Sequence, residues 1–201
     1  MPSASSSGPS LREVSRDAVR ARITDIALRL FAECGFDQVT VEQVAAAAGM
    51  SARTFHRYFP AKEDVVIGDP TRWGEYVRDT LAARPRSEPV WESLAAAFDT
   101  LVSHQVDAIG DARGKLALRV LGSTASLRAR NVEKHLAWAR LLTPVVTERL
   151  TGDDAALRAE VLVQSALACF DVALTAWANT EDGTELPGLL ERAFATLAPR
   201  V

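Results

Sequence analysis

A chain of 201 residues is long enough to bury a sizeable core, as one large domain or as a small module joined to a larger one. Its 48% hydrophobic and 24% charged residues form an ordinary globular composition, which excludes a disordered or fibrous chain. A net charge of −3 and a pI near 5.7 exclude a global basic field, so any contact with nucleic acid must come from a local patch.

Met1 to Ser10 is rich in Ser, Pro and Gly and carries no apolar h-region, which predicts a disordered tail (1–10) rather than a signal peptide. Helical spacing runs through the rest of the chain, and no run of alternating β-branched residues interrupts it. An all-α architecture is predicted. The first helix carries Ile23, Ile26, Ala27, Leu30, Phe31 and Cys34 as one apolar stripe and ends at Gly35. Its other face bears Arg12, Arg16, Arg20, Arg22 and Arg29 and is expected to be solvated, with Arg12 or Arg16 able to serve as a minor-groove arm.

Thr40, followed three residues later by Gln43, makes a capping box, and Val39 and Val44 stand at the positions of a hydrophobic staple. A second helix therefore starts at Val41, and Gly49, able to turn left-handed, ends it. Ser51 caps a third helix, Ala52 to about Phe59, with Met50 and Phe55 as its staple. Two short helices around one glycine form a helix-turn-helix, within an N-terminal three-helix domain spanning 11–60.

Pro60 closes the third helix. A fourth opens at Lys62 and runs to about Ala83, with a break expected at Gly68 to Pro70. Arg84 to Pro89 is a connection, and further helices are predicted near 90–109, 114–121, 125–149, 154–179 and 186–198. Gly110, Gly122, Gly152 and Gly183 punctuate them, and Pro144 is expected to kink or break the third. Residues 61–201 thus form a C-terminal helical domain, for which ligand binding and dimerisation are what the family resemblance given below implies. The apolar stretch Val161 to Ala178 is interrupted by Gln164, Ser165, Asp171 and Thr175, which predicts a buried helix rather than a membrane span.

An exposed short helix after a tight turn can present its N-terminal side chains to base edges in the major groove. Ala52, Arg53, Thr54, His56 and Arg57 hold that position. Arg can take guanine O6 and N7 together, while Thr, His and Tyr suit phosphates or bases. The candidate DNA-binding set is Thr40, Ser51, Ala52, Arg53, Thr54, His56, Arg57, Tyr58 and Lys62, with Thr40 and Lys62 expected to hold the backbone. Between Ser51 and Lys62 there are three basic residues and no acidic one.

In the larger domain, Leu127, Asn131, His135, Trp138 and Leu142 recur on one helix face, so two hydrogen-bonding groups lie within an apolar stripe. The candidate ligand set is Asn131, His135 and Trp138, completed by Trp73, Trp91, Phe98, His104 and Phe170, for a largely apolar acyl or aromatic molecule. Leu157, Val161, Ser165, Ala168, Val172 and Thr175 form one stripe, and Leu186, Leu189, Leu190, Ala193, Phe194 and Leu197 another. Both suit a dimer seam. Cys34 and Cys169 are far apart and are expected to be inert in the core of a reduced, cytoplasmic protein. The scattered histidines His56, His104 and His135 and the lack of HExxH, CxxC or a phosphate-cradling loop argue against an enzyme, and no cofactor or metal is expected.

The stretch from Ala27 to Val65 resembles the DNA-binding domain of the TetR family of transcriptional regulators. The resemblance is carried by Phe31, Gly35, Phe36, Thr40, Val41, Val44, Ala45, Ala48, Gly49, Ser51, Thr54, Phe55, Tyr58, Phe59, Lys62 and Glu63. His56 and Tyr58 depart from it, since that family commonly has Tyr and then His there, and Ala61 replaces the usual cap before the lysine. The resemblance implies a homodimer joined through its last two long helices on a palindromic operator, a ligand cavity between, and release of DNA when ligand binds. Lys115 to Arg130 also resembles a subgroup of that family described as acyl-CoA-like. A helical small-molecule or protein-interaction module without specific DNA binding is the alternative.

Overall fold

The computed structural model describes residues 10–109, 111–181 and 185–198. The expected tail, apart from Ser10, and the expected breaks at Gly110 and Gly183 lie outside them. Among the described residues there are ten α-helices, one 3-10 turn and no strand. In chain order these are α1 Leu11–Cys34, the 3-10 turn Phe36–Gln38, α2 Val41–Ala47, α3 Ala52–His56, α4 Asp64–Ile67, α5 Pro70–Ala82, α6 Val90–Ile109, α7 Asp111–Ser123, α8 Ala125–Thr147, α9 Ala155–Ala178 and α10 Leu186–Thr196. Two compact units meet between Val66 and Ile67.

That junction lies beyond the expected one at residues 60 and 61, because the segment after Pro60 folds back on the first unit. The Lys62 ammonium donates to Phe36 O at 2.7 Å and Val39 O at 2.9 Å. The backbone N–H of Ala61 donates to Asp64 Oδ2 at 2.9 Å, which keeps the reciprocal half of a capping box while Ala61 offers no side-chain acceptor. The break predicted at Gly68 to Pro70 is present: Gly68 has φ 76°, Asp69 accepts from Arg72 N at 3.0 Å, and Pro70 starts α5.

The first unit's core is Ile23, Ala27, Leu28 and Phe31 of α1 with Phe36, Val39, Val44, Ala45, Phe55 and Phe59. Cys34, expected in that stripe, is exposed, since α1 ends there and Gly35 turns the chain away at φ 87°. The second unit is built on α9, whose inner face buries Ala159, Val163, Ala166, Leu167, Phe170, Ala173 and Trp177 against α6, α7, α8 and α10. By length and composition α9 could cross a membrane, but this burial makes it the core helix of the unit. Pro144 does not break α8, which continues to Thr147. Proline there removes one N–H from the ladder, and the helix ends three residues later.

The Arg84–Pro89 connection is tied down. Glu88 accepts from the Arg84 guanidinium and the Ser93 hydroxyl, and Arg149 donates to Pro85 O at 2.9 Å, Glu88 O at 3.0 Å and Ser93 Oγ at 2.9 Å. Hydrogen bonds from Arg84 and then Ser93 hold the Glu88 carboxyl down at about 2.

Gly74 of α5 lets α8 approach. A Cβ there would lie 2.7 Å from Trp138 Cδ1 and 3.0 Å from Leu141 Cδ1. Gly74→Ala should therefore destabilise the protein by about 1–3 kcal/mol in denaturant unfolding, the usual cost of overpacking. Gly122→Ala, where an added Cβ meets nothing within 4 Å, should be neutral or stabilise by up to about 1 kcal/mol.

Candidate functional site

The first unit builds a helix-turn-helix from local hydrogen bonds. Thr40 Oγ1 accepts from Gln43 N at 3.2 Å while Gln43 Oε1 accepts from Thr40 N at 2.8 Å, the capping box expected from sequence. Gly49 at φ 72° turns the chain, and Met50 N donates to Ala45 O at 2.9 Å. Ser51 Oγ then accepts from Thr54 N at 3.2 Å and starts α3. Phe55 and Phe59 are buried beneath it, so Arg53, His56 and Arg57 face solvent.

Thr40 and Ser51 are also exposed, whereas Ala52, Thr54 and Tyr58 are half-buried. The Thr54 hydroxyl lies 3.0 Å from Ser51 Oγ, and His56 Nδ1 lies 3.2 Å from Pro60 O. Two cations have partners within the unit. Lys62, expected on the DNA backbone, spends its ammonium on two carbonyls and lies 4.2 Å from the Phe36 ring centre, so it braces the unit from within. Arg20, expected on the solvated face of α1, donates to Tyr58 O and lies 4.5 Å over the Phe59 ring. Its partner is 38 positions away, and no local pattern signals it.

The eight candidate ligand residues fall into three groups. Phe98, Trp138 and Phe170 stack at centroid distances of 5.0 to 6.5 Å, with His135 6.2 Å from Trp138 and Asn131 one turn before it on α8. Trp73 and His104 lie 5.6 Å apart beside Tyr76, which stacks on His104 at 5.5 Å and which the sequence reading missed. Trp91 stands apart, packed on Phe194 at 5.0 Å and donating to its carbonyl at 3.2 Å, so it is a satisfied core residue. The indole of Trp138 donates to Pro70 O at 2.7 Å, joining the first group to the start of α5.

Asp171 on α9 was noted in sequence only as an interruption of an apolar run; it faces α8 and accepts from Asn131 Nδ2 at 2.9 Å. Asn131 Oδ1 and His135 Nε2 are buried without a hydrogen-bond partner. Burial pulls the Lys134 amine down to about 8 against the opposing pull of Asp171. Burial, reinforced by Lys134, pulls His135 down to about 4. A separate surface groove of 390 Å³ lies between α6 and α10, lined by Ala95, Asp99, Pro187, Gly188, Glu191 and Phe194, and takes in none of the candidate residues.

Of the two stripes expected at a dimer seam, the one on α9 is open: Leu157, Val161 and Val172 are 68%, 56% and 63% exposed. The one on α10 is not, because Leu186, Leu190 and Phe194 turn into the unit's own core, leaving Leu197 exposed.

Residues 23–67 match the family of bacterial regulatory proteins of tetR type, and residues 88–201 match the MftR C-terminal domain. A transcriptional regulator named for mycofactocin biosynthesis, MftR of Mycobacterium tuberculosis, is 28% identical over 140 residues, 68% of this chain and 68% of its own length. The transcriptional regulator TcmR of Streptomyces glaucescens is 27% identical over 146 residues, 71% of this chain and 65% of its own. The chain thus spans about two thirds of these relatives. Among solved structures, the fatty acid degradation regulator FadR of Bacillus halodurans superposes with a TM-score of 0.60 at 22% identity, over 88% of this chain and 93% of that one. FadR of Bacillus subtilis in complex with stearoyl-CoA superposes with a TM-score of 0.56 at 22% identity, over 87% and 95%.

The depressed His135 gives a pH dependence of known sign. Between its unfolded value, about 6.5, and its folded value, about 4, the unfolded chain binds the extra proton, so stability falls as pH drops through that window. The loss is at most about 1.4 kcal/mol per pH unit from one such group. Denaturant titrations from pH 7 to 4 should show His135→Gln losing less stability than the wild type across this range; parallel curves would contradict it.

Proposed function

As the chain belongs to the tetR family of bacterial regulatory proteins, and is a ligand-responsive DNA-binding transcriptional regulator rather than an enzyme, we propose that it is a cytoplasmic repressor acting as a homodimer on a palindromic operator. The observation that carries this reading is α3, a capped helix held from below by Phe55 and Phe59 that offers Arg53, His56 and Arg57 to solvent. A helix so placed fits a major groove about 12 Å wide with its first turn against base edges. Arg53 reads a guanine, Arg57, His56 and Tyr58 meet phosphates or bases, and Thr40 and Ser51 hold phosphates at the starts of α2 and α3. Lys62 supports these from behind, through the carbonyls of Phe36 and Val39.

The dimer forms through the α9 face of Leu157, Val161 and Val172, with the exposed end of α10 beside it. The effector is a largely apolar acyl or aromatic molecule received at Phe98, Trp138 and Phe170 beside Asn131 and His135. Displacing Trp138 would break its bond to Pro70 O. Pro70 opens α5, and Val66, four positions earlier, closes the DNA-binding unit, so the start of α5 is where occupancy is converted into release.

Fluorescence anisotropy with DNA from beside the protein's own gene tests the reading. It should bind an imperfect palindrome in preference to random DNA, and log K should fall linearly with log salt as counterions are released. No preference at any salt would favour a ligand- or protein-binding module instead. Arg53→Ala should cost about 1–3 kcal/mol and relax one base position. Val161→Glu, which places a charge in the proposed seam, should convert a dimeric mass in light scattering to a monomeric one. A wild-type mass that is monomeric at all concentrations would remove the dimer.

A further inference from the structure

Asn131 and Asp171 fix the chemistry of what can sit beside them. A carboxylate only accepts, so the Asn131 amide must turn its NH2 to Asp171, where Nδ2 lies 2.9 Å from Oδ1. That orientation commits Asn131 Oδ1, an acceptor, to the side where it is buried and unpartnered. One turn on, His135 Nε2 is also buried and unpartnered. A buried polar atom without a partner is costly, and each of these two has capacity for one further hydrogen bond.

We propose that the effector carries, beside its apolar body, an uncharged group that donates a hydrogen bond, a hydroxyl or an amide N–H, received by Asn131 Oδ1 with His135 Nε2 alongside. The proposal rests on the reading that the second unit binds the effector, and it names the polar class that reading leaves open.

A free carboxylate has no proton for Asn131 Oδ1 and would be brought up to Asp171, a second anion already in the cluster. An ammonium would have a proton to give and Asp171 to offset its charge, but it would be stripped of water beside a second buried cation, Lys134. A neutral donor escapes both penalties. Burial keeps His135 neutral at physiological pH, with its pKa down at about 4, so it retains one N–H and one lone pair and can complement the same hydroxyl or amide. Trp138 and Phe170, stacked 6.0 Å apart, supply the adjoining apolar wall.

The test is a head-group series on one chain length, titrated calorimetrically into the full-length protein at pH 7: 1-octanol, octanamide, octanoate and octylamine. Octanol and octanamide should each bind at least tenfold tighter than octanoate and octylamine. Asn131→Leu should lower affinity for octanol and octanamide about tenfold and leave octanoate unchanged. In Asp171→Asn the Asn131 amide is free to reverse, and octanoate should gain at least severalfold. The two variants do not depend on one another's folding, and thermal melts verify each.

Equal binding of all four compounds, tighter binding of octanoate, no binding of any, or an unaltered preference in Asn131→Leu would each overturn the proposal. Operator binding by the wild-type protein is scored separately. A chain that binds its operator and fails the series loses this inference and keeps its role as a regulator.

Discussion

The second unit is organised around the indole of Trp138. Its N–H, buried on α8, must find an acceptor, and it takes the carbonyl of Pro70 at 2.7 Å. That bond is possible because Gly74, one turn further along α5, has no side chain to hold the ring away. The same ring lies against Phe98 of α6 and Phe170 of α9, so four helices meet at one side chain. The ring is thereby tied by one hydrogen bond to the first residue of α5. Packed interiors shift between discrete arrangements rather than deforming smoothly, which suits such a residue to transmit a signal.

The first unit solves a different problem. A helix of five residues such as α3 has no stability of its own, because nucleation costs more than so few hydrogen bonds return. It persists through Ser51 at its start, Phe55 and Phe59 beneath it, and Arg20 reaching from α1 to Tyr58 O at its end. Lys62 does similar service at the Phe36–Val39 turn. Basic side chains therefore divide into two tasks here, with Arg20 and Lys62 spent on rigidity and Arg53 and Arg57 left outward.

The sequence made legible whatever is settled within a few residues. The Thr40–Gln43 box, the Ser51 cap, the left-handed Gly49 and the Gly68–Pro70 break are local, and each is present. The distant partners of some groups were not legible. Lys62 meets carbonyls 26 and 23 positions away, Arg20 one 38 away, and both look from sequence like surface cations. The α10 stripe was visible, but periodicity says only that a face is apolar, not whether it packs at home or on a mate, and Leu186, Leu190 and Phe194 pack at home. In the candidate ligand set, the α8 spacing of Asn131, His135 and Trp138 was informative because i, i+4 positions share a face. Trp91 was included for its residue type alone and belongs to another part of the core. Asp171 carried a usable signal, a lone acid within a long apolar helix, since such a residue needs a partner.

Helix α9 draws these strands together. Asp171 and Val172 are neighbours in sequence, yet the first accepts from Asn131 across the α8 packing face while the second is 63% exposed. The helix thus carries the polar cluster and the proposed dimer seam on adjoining faces. An acidic chain whose reading helix presents only Arg53, Arg57 and His56 gains little from long-range attraction to phosphate, which is why the proposed operator binding calls for two heads. Such a regulator needs its head spacing to be rigid when empty and adjustable when occupied. In the proposed dimer, a single core helix that carries both the cluster and the seam is the element through which the two would be linked.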